Sequence, residues 1–214
     1  MRFFAVILST LSLSAWASYK PADRYADYLD LAKHEKEGVD FKVETVNRHS
    51  SVTVIAIHGG HIEEGSDKLA RAIAGSILSY YVFQGVKPKN NRALHVTSTH
   101  FNDPRALELV EKEDTVISIH GFKEDAKDEI CIGGRNTNLR DEIAKSLLGA
   151  KTGVIVTVPC ATYGGDDPQN IVNRSKKYGV QLEFSSRLRK RIAEDHLLRD
   201  KIATVIRSCV VHQN

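Results

Sequence analysis

Short β-branched runs alternate with amphipathic segments along most of this chain. A short apolar run bounded by turn residues predicts a buried strand, whereas apolar residues at helical spacing predict a helix. Strands that alternate with helices are typical of a domain with helices packed on both faces of a mostly parallel sheet. We therefore predict a single α/β domain with a mixed, mostly parallel sheet flanked by helices.

Each predicted element can be assigned to a stretch of the chain. The predicted strands cover residues 41–46, 52–57, 94–97, 115–119, 129–132, 154–158 and 180–184. The predicted helices cover residues 23–36, 67–83, 104–111, 138–148 and 195–211, with Ser66 or Asp67 capping the second and Asn138 capping the fourth.

The first 17 residues predict a secretory signal peptide. Arg2 precedes a short apolar stretch, and Ala15-Trp16-Ala17 places small residues just before a cleavage point at Ser18. A buried N-terminal helix is the alternative, but the stretch lacks helical polar periodicity. It is also shorter than the roughly 20 apolar residues that span a bilayer, so we expect no stable membrane insertion. We predict a secreted or periplasmic protein.

The charges along the chain are nearly balanced, with 30 Lys and Arg residues against 27 Asp and Glu residues. A nucleic-acid-binding domain usually carries a clear basic excess, so we expect no nucleic-acid partner. The small positive excess is compatible with an acidic substrate. We predict that the protein is a monomer.

Three cysteines are present, at Cys131, Cys160 and Cys209. In an exported protein they allow one disulfide and one free thiol, and the sequence does not select the pair. Small buried residues are an equally good interpretation. Their spacing does not match the paired pattern of zinc–thiolate sites.

Two predicted core strands end in the same dipeptide, His-Gly, at His58 and at His120. Open α/β sheets bind ligands just outside the carboxyl ends of their strands. A zinc hydrolase needs three protein ligands and one open position, and a glycine-rich loop after His58 supplies a carboxylate at Glu63. The spacing alone does not separate His58 and Glu63 from their neighbours His61 and Glu64.

Glu183 ends another predicted core strand and is a candidate general base. Without a metal nearby it would be an ordinary acidic residue at a strand end. His100 follows a predicted strand and is a candidate for orienting a ligand, with loop packing as the alternative. No role is predicted for His95.

Five ordered blocks of this sequence resemble the poly-γ-glutamate hydrolase family. The resemblance begins near residues 23–28 and reaches at least Arg189. The blocks cover residues 58–66, 94–104, 119–121, 170–174 and 179–183.

The resemblance implies a zinc-dependent hydrolase of carboxypeptidase-like α/β fold that acts on poly-γ-glutamate, with residues 18–214 as its zinc hydrolase domain. Carried over by position, it implies that His58, Glu63 and His120 bind zinc and that Glu183 is the general base. His61 and Glu64 then occupy variable positions. The alternatives are a zinc amidase or carboxypeptidase acting on another acylated amino acid or cell-wall peptide, and a non-catalytic secreted binding module.

An anionic γ-glutamyl substrate needs cationic partners. Arg174 is the first candidate to bind a substrate carboxylate, followed by Arg135 and Arg189, for which a surface salt bridge is the preferred interpretation. The sequence departs from the family in having Gly65-Ser66-Asp67 where Gly-Thr-Ser is usual. Asp67 is expected to add negative charge near the metal.

Overall fold

The computed structural model describes residues 23–211, which form a seven-stranded mixed sheet between layers of helices. The strands are β1 (Phe41–Val46), β2 (Val52–Gly60), β3 (Ser79–Gly85), β4 (Thr115–Phe122), β5 (Glu129–Gly133), β6 (Ile155–Thr157) and β7 (Gly179–Ser185). The helices are α1 (Tyr28–His34), α2 (Ser66–Ala74), α3 (Pro104–Lys112), α4 (Thr137–Gly149), α5 (Ser186–Glu194) and α6 (His196–Val211).

The strand order across the sheet is β1-β3-β2-β4-β7-β5-β6. The four central strands β3, β2, β4 and β7 are parallel, so their carboxyl ends meet at one edge of the sheet. β1 is antiparallel to β3, and β5 is antiparallel to β7. The predicted mixed, mostly parallel α/β sheet is therefore confirmed.

The two faces of the sheet carry separate apolar cores. Strand residues such as Ile117 and Ile119 pack against α2, α4, α5 and α6. The intervening Val116 packs with α1, α3 and a single 3-10 turn at Ile171–Asn173. Because side chains alternate along a strand, Ser118 and His120 lie on the same face as Val116.

The predicted helix over residues 67–83 is wrong in its second half. The helix ends at Ala74, because Gly75 takes a positive φ of 55° and its amide donates to the Arg71 carbonyl. The aromatic and β-branched residues that follow form the buried strand β3. The left-handed residue Gly65, and neither Ser66 nor Asp67, occupies the N-cap position of α2.

The predicted strand over residues 94–97 is also wrong. A 3-10 turn, Asn91–Leu94, comes first and is followed by chain outside the sheet. Sequence reasoning missed α5, which begins directly after β7 and is capped by the Ser185 side chain. Asn136, not Asn138, caps α4. The predicted strand over residues 41–46 matches β1, and the other predicted strands and helices are present with shifted ends.

The predicted signal peptide, residues 1–17, lies outside the described residues. Within residues 23–211, no helix combines the length and apolar character that crossing a bilayer requires. Cys131 and Cys160 form a disulfide, and Cys209 is a buried free thiol. The disulfide links β5 to the loop that follows β6.

Candidate metal centre and catalytic site

The register between β4 and β7 brings two predicted site residues together. The two strands carry the same alternation of apolar and polar residues, Ile-Ser-Ile-His and Val-Gln-Leu-Glu. Parallel pairing sets His120 beside Glu183, and Ser118 beside Gln181. All of these polar side chains are at most 5% exposed and lie on the face shared with α1 and α3.

The loop after β2 returns Glu63 to the end of its own strand. The Glu63 amide donates to the His58 carbonyl at 2.8 Å. The Gly121 amide, at the end of β4, donates to Glu63 Oε2 at 2.8 Å. Glu63 is 8% exposed, so the loop buries a carboxylate between β2 and β4.

His58, Glu63 and His120 form a cluster that fits a divalent metal ion. Each offers one ligand atom, and these atoms lie within 4.8 Å of one another. His58 Nδ1 is 3.1 Å from both His120 Nδ1 and Glu63 Oε1, and Glu63 Oε2 is 3.6 Å from His120 Nδ1. Atoms bonded to a tetrahedral zinc at about 2.0–2.1 Å are roughly 3.3 Å apart, so the geometry suits zinc.

The second nitrogen of each imidazole also has a partner. His58 Nε2 donates to the Val96 carbonyl at 2.9 Å. His120 Nε2 is hydrogen-bonded to Ser118 Oγ at 2.9 Å. Such bonds select the tautomer and the ring orientation of a metal ligand. Both histidines therefore present Nδ1 to the cluster.

The electrostatics of the cluster keep its carboxylate ionised. Burial raises the pKa of Glu63, but the two imidazoles lower it by more, and the net pKa lies well below the usual range. Burial lowers the pKa of His58, but Glu63 and the hydrogen bond to Val96 together raise it by more. For His120, burial prevails and the pKa is lowered. Glu63 is thus in the form that binds a metal.

Glu183 lies beside this cluster and is held by a chain of amide side chains. Gln181 Nε2 donates to Glu183 Oε1 at 3.0 Å, and Asn170 Nδ2 donates to Gln181 Oε1 at 3.0 Å. These bonds orient a buried carboxylate that is 5% exposed. The geometry suits a general base next to a metal ion.

His61 and Glu64 do not join the cluster. Their side chains are 63% and 73% exposed and bond to each other at 2.9 Å.

The expectation that Asp67 adds negative charge near the metal needs correction. Its charge is paired with Arg71 at 2.9 Å and accepts a hydrogen bond from Gln84 at 3.0 Å, so it is compensated locally.

Arg189 lies at this site. Its guanidinium donates to the Glu64 carbonyl at 2.6 Å and to the Phe184 carbonyl at 3.2 Å. Burial lowers the pKa of Arg189, while the charges of Glu63 and Glu183 act in the opposite direction. Within residues 23–211 it makes no ion pair, which corrects the interpretation of Arg189 as a surface salt bridge.

Arg174 and Arg135 lie at the other end of these strands. Arg174 pairs with Glu111 at 2.6 Å, close to the residues that lead into β4. The Arg135 guanidinium covers the ring of Tyr178, the residue before β7, at 4.6 Å. Arg135 follows a strand, but β5 runs antiparallel to β7, so its end points away from Glu183. The structure does not bring either arginine to the metal cluster.

Sequence reasoning missed Tyr163 and His95. Burial raises the pKa of the Tyr163 phenol, and Glu183 and Glu63 raise it further. Its carbonyl accepts a hydrogen bond from Gln181 Nε2 at 3.2 Å. His95 stacks on His58 with ring centroids 4.0 Å apart. The available signal for His95 was its position inside the 94–104 block that resembles the family.

The neighbouring acids Glu63 and Glu64 provide a matched test of the metal site. Changes to a group that only orients a metal ligand lower metal affinity by up to about 100-fold. Because Glu63 is itself a proposed ligand, we expect Glu63→Gln to weaken zinc binding by more than that. Glu64→Gln should bind zinc like the wild type, because that side chain is exposed. Competition with a zinc chelator measures both affinities, and equal affinities for the two variants would contradict this assignment.

The comparisons with known proteins agree with this geometry. A family model described as poly-gamma-glutamate hydrolase matches residues 25–207. YndL of Bacillus subtilis (strain 168) is 34% identical over 183 residues, covering 85% of this chain and 71% of YndL. The prophage-derived protein YoqZ of the same strain is 30% identical over 203 residues, covering 94% of this chain and 73% of YoqZ.

Two solved structures share the fold over nearly their whole length. A bacteriophage poly-gamma-glutamate hydrolase superposes with a TM-score of 0.83 at 32% identity, covering 89% of this chain and 97% of that chain. The zinc-free apo form of YndL superposes with a TM-score of 0.81 at 30% identity, covering 89% of this chain and 98% of that chain. The chain belongs to the poly-γ-glutamate hydrolase family.

Proposed function

We propose that this protein is a zinc-dependent hydrolase that cleaves the γ-glutamyl amide bonds of poly-γ-glutamate. The observation that carries the proposal is the buried His58–Glu63–His120 cluster with Glu183 on the adjacent strand. Membership of the poly-γ-glutamate hydrolase family supports the substrate. Two imidazoles and one carboxylate are a ligand set common to catalytic zinc sites.

Zinc, when bound by His58, Glu63 and His120, would act as a Lewis acid on the scissile carbonyl and make water nucleophilic near neutral pH. The chain supplies the proton transfer. Glu183 accepts the proton of the attacking water and passes it to the leaving nitrogen, while Gln181 holds the carboxylate in place. Tyr163 lies near the same carboxylates, whose charges raise the pKa of its phenol.

Arg189 is the cation that we assign to substrate binding. Its bonds to backbone carbonyls place it near Glu63 and Glu183 without neutralising its charge. A guanidinium can bind a carboxylate of the polymer with two parallel hydrogen bonds. Arg174 already binds Glu111 and lies at the opposite end of the strands, so we assign it no contact with substrate.

We further propose that the protein is exported and begins at Ser18 after cleavage. The signal-like residues 1–17 support export, and so does the Cys131–Cys160 disulfide, because disulfides persist in oxidising compartments. The periplasm and the medium both meet that condition. The monomeric state stays a prediction.

Glu183→Gln tests the assigned base. The amide cannot accept the proton, so hydrolysis of poly-γ-glutamate should fall by about 10²–10⁴-fold while zinc remains bound. Size-exclusion chromatography follows the polymer length, and metal analysis follows the zinc content. Glu194→Gln, at an exposed helix end, is the control and should cleave normally. Wild-type protein that binds the polymer without shortening it would instead be a binding module.

Arg189→Met and Arg174→Met separate the two candidate cations. Loss of a hydrogen bond to a charged group corresponds to about 1.5–3 kcal/mol, so Arg189→Met should raise KM for the polymer at least about tenfold. Arg174→Met should leave KM unchanged. Steady-state kinetics on both variants at full zinc occupancy measure the effect. The reverse order of effects would transfer the role to Arg174.

Export is tested on the full-length chain expressed in a bacterium. We expect the protein in the exported fraction to begin at Ser18 and its Cys131 and Cys160 to resist alkylation until a reductant is added. N-terminal sequencing and mass spectrometry measure both properties. The substitution Ala17→Asp should block cleavage. Intact protein that begins at Met1 in the cytosolic fraction would overturn export.

A further inference from the structure

His95 packs directly against the metal-ligand candidate His58. The ring centroids are 4.0 Å apart and the planes are inclined by 24°, so the two imidazoles are stacked. The next residue, Val96, accepts the hydrogen bond from His58 Nε2. The stacked ring restrains the tilt of His58, and the bond at its edge restrains rotation within the ring plane.

Asp23 fastens the segment that makes these contacts. His95 Nδ1 donates to Asp23 Oδ1 at 2.6 Å, and the Thr97 amide donates to Asp23 Oδ2 at 2.5 Å. The two carboxylate oxygens therefore hold both ends of the segment whose middle residue is Val96. The Asp23 and His95 side chains are only 13% and 16% exposed, so water competes little for these charge-assisted bonds.

The residues after Asp23 are attached to the same region. We call residues 23–29 the N-terminal strap. Asn102 accepts a hydrogen bond from the Leu29 amide at 3.1 Å and donates one to Asp27 at 3.0 Å. The ring of Tyr28 packs against Phe101 with centroids 5.4 Å apart. The strap is thus bonded both to the segment that supports His58 and to the residues that follow that segment.

We propose that Asp23 and His95 are positioning residues for the metal ligand His58, so that zinc affinity depends on the contact between Asp23 and His95. This inference rests on the proposed function, in which His58 binds zinc. A ligand held in its bound orientation loses less conformational freedom when the metal binds. Changing a group that orients a metal-ligating histidine typically lowers metal affinity about 10–100-fold.

Three variants test the pair through the zinc dissociation constant of the purified mature protein. His95→Ala removes the stacked ring and the bond to Asp23, and we expect affinity to fall by about 10–100-fold. His95→Phe keeps a stacked ring, so its zinc affinity should fall less. Asp23→Asn weakens the bond to His95, and its zinc affinity should fall by about tenfold. Competition with a chelator measures zinc affinity without any need for turnover.

A second aspartate–histidine pair on the same part of the chain provides the control. Asp30 and His34 of α1 lie 3.7 Å apart, and His34 stacks on the strap residue Tyr25, so this pair tests the strap separately from Asp23 and His95. Asp30→Asn and His34→Ala should bind zinc with wild-type affinity. The thermal midpoint of each metal-free variant separates a loss of orientation at His58 from a general loss of stability.

The double variant shows whether Asp23 acts through His95. Asp23→Asn should reduce zinc affinity less in a His95→Ala background than in the wild type, because the shared contact is already gone. If the losses of zinc affinity in Asp23→Asn and His95→Ala simply added in the double variant, Asp23 would not act through His95. Wild-type affinity in both single variants would overturn the whole inference while leaving the proposed function intact. A wild-type protein that binds zinc no better than His58→Ala would refute the proposed function itself.

Discussion

The buried carboxylate of Glu63 is the contact on which the site depends. It lies between two imidazoles and accepts a hydrogen bond from the Gly121 amide. An ionised carboxylate without partners would be strongly destabilising at this depth, by several kcal/mol. Because its partners come from β2 and β4, the loop after β2 must fold back before the site exists. The same contacts hold three ligand atoms at the spacing that zinc requires.

The two faces of the sheet have different roles, because one carries the larger apolar core and the other carries the polar site residues. Ile117, Ile119 and the matching residues of β7 pack under four helices on one face. The alternate positions on the other face carry His120 and Glu183. Polar side chains can therefore converge at one edge of the sheet while the larger apolar core on the opposite face remains uninterrupted.

The surroundings of the metal cluster come from segments between and beyond the central strands. The loop that carries Tyr163 is joined to β5 by the Cys131–Cys160 disulfide. Gly133 allows that loop to approach, because any side chain there would strike the Gly164 backbone. Arg189 reaches the site from α5, which starts as soon as β7 ends. These segments thus add neighbouring groups and charge to a cluster that the parallel strands already define.

Sequence reasoning could identify β2 and β4 and the acidic end of β7, because buried strands and glycine-rich strand ends have strong local patterns. It failed for residues 67–83, where the apolar spacing of a helix continues into the strand β3 and only Gly75 marks the boundary. It also could not decide whether the candidate Arg135 reaches the site, since a local pattern does not state whether a strand runs parallel or antiparallel to its neighbour.

The sequence by itself determined the α/β class and the candidate residues His58, Glu63, His120 and Glu183, in part through the resemblance of five ordered blocks to one family. The tertiary structure decided which groups surround them. It brought His95 to His58 from 37 positions away and Asp23 to His95 from 72 positions away, placed Arg189 at the site and left Arg174 outside it. The physical reason is that strand order and loop packing depend on contacts between distant segments, which no local pattern of residues encodes.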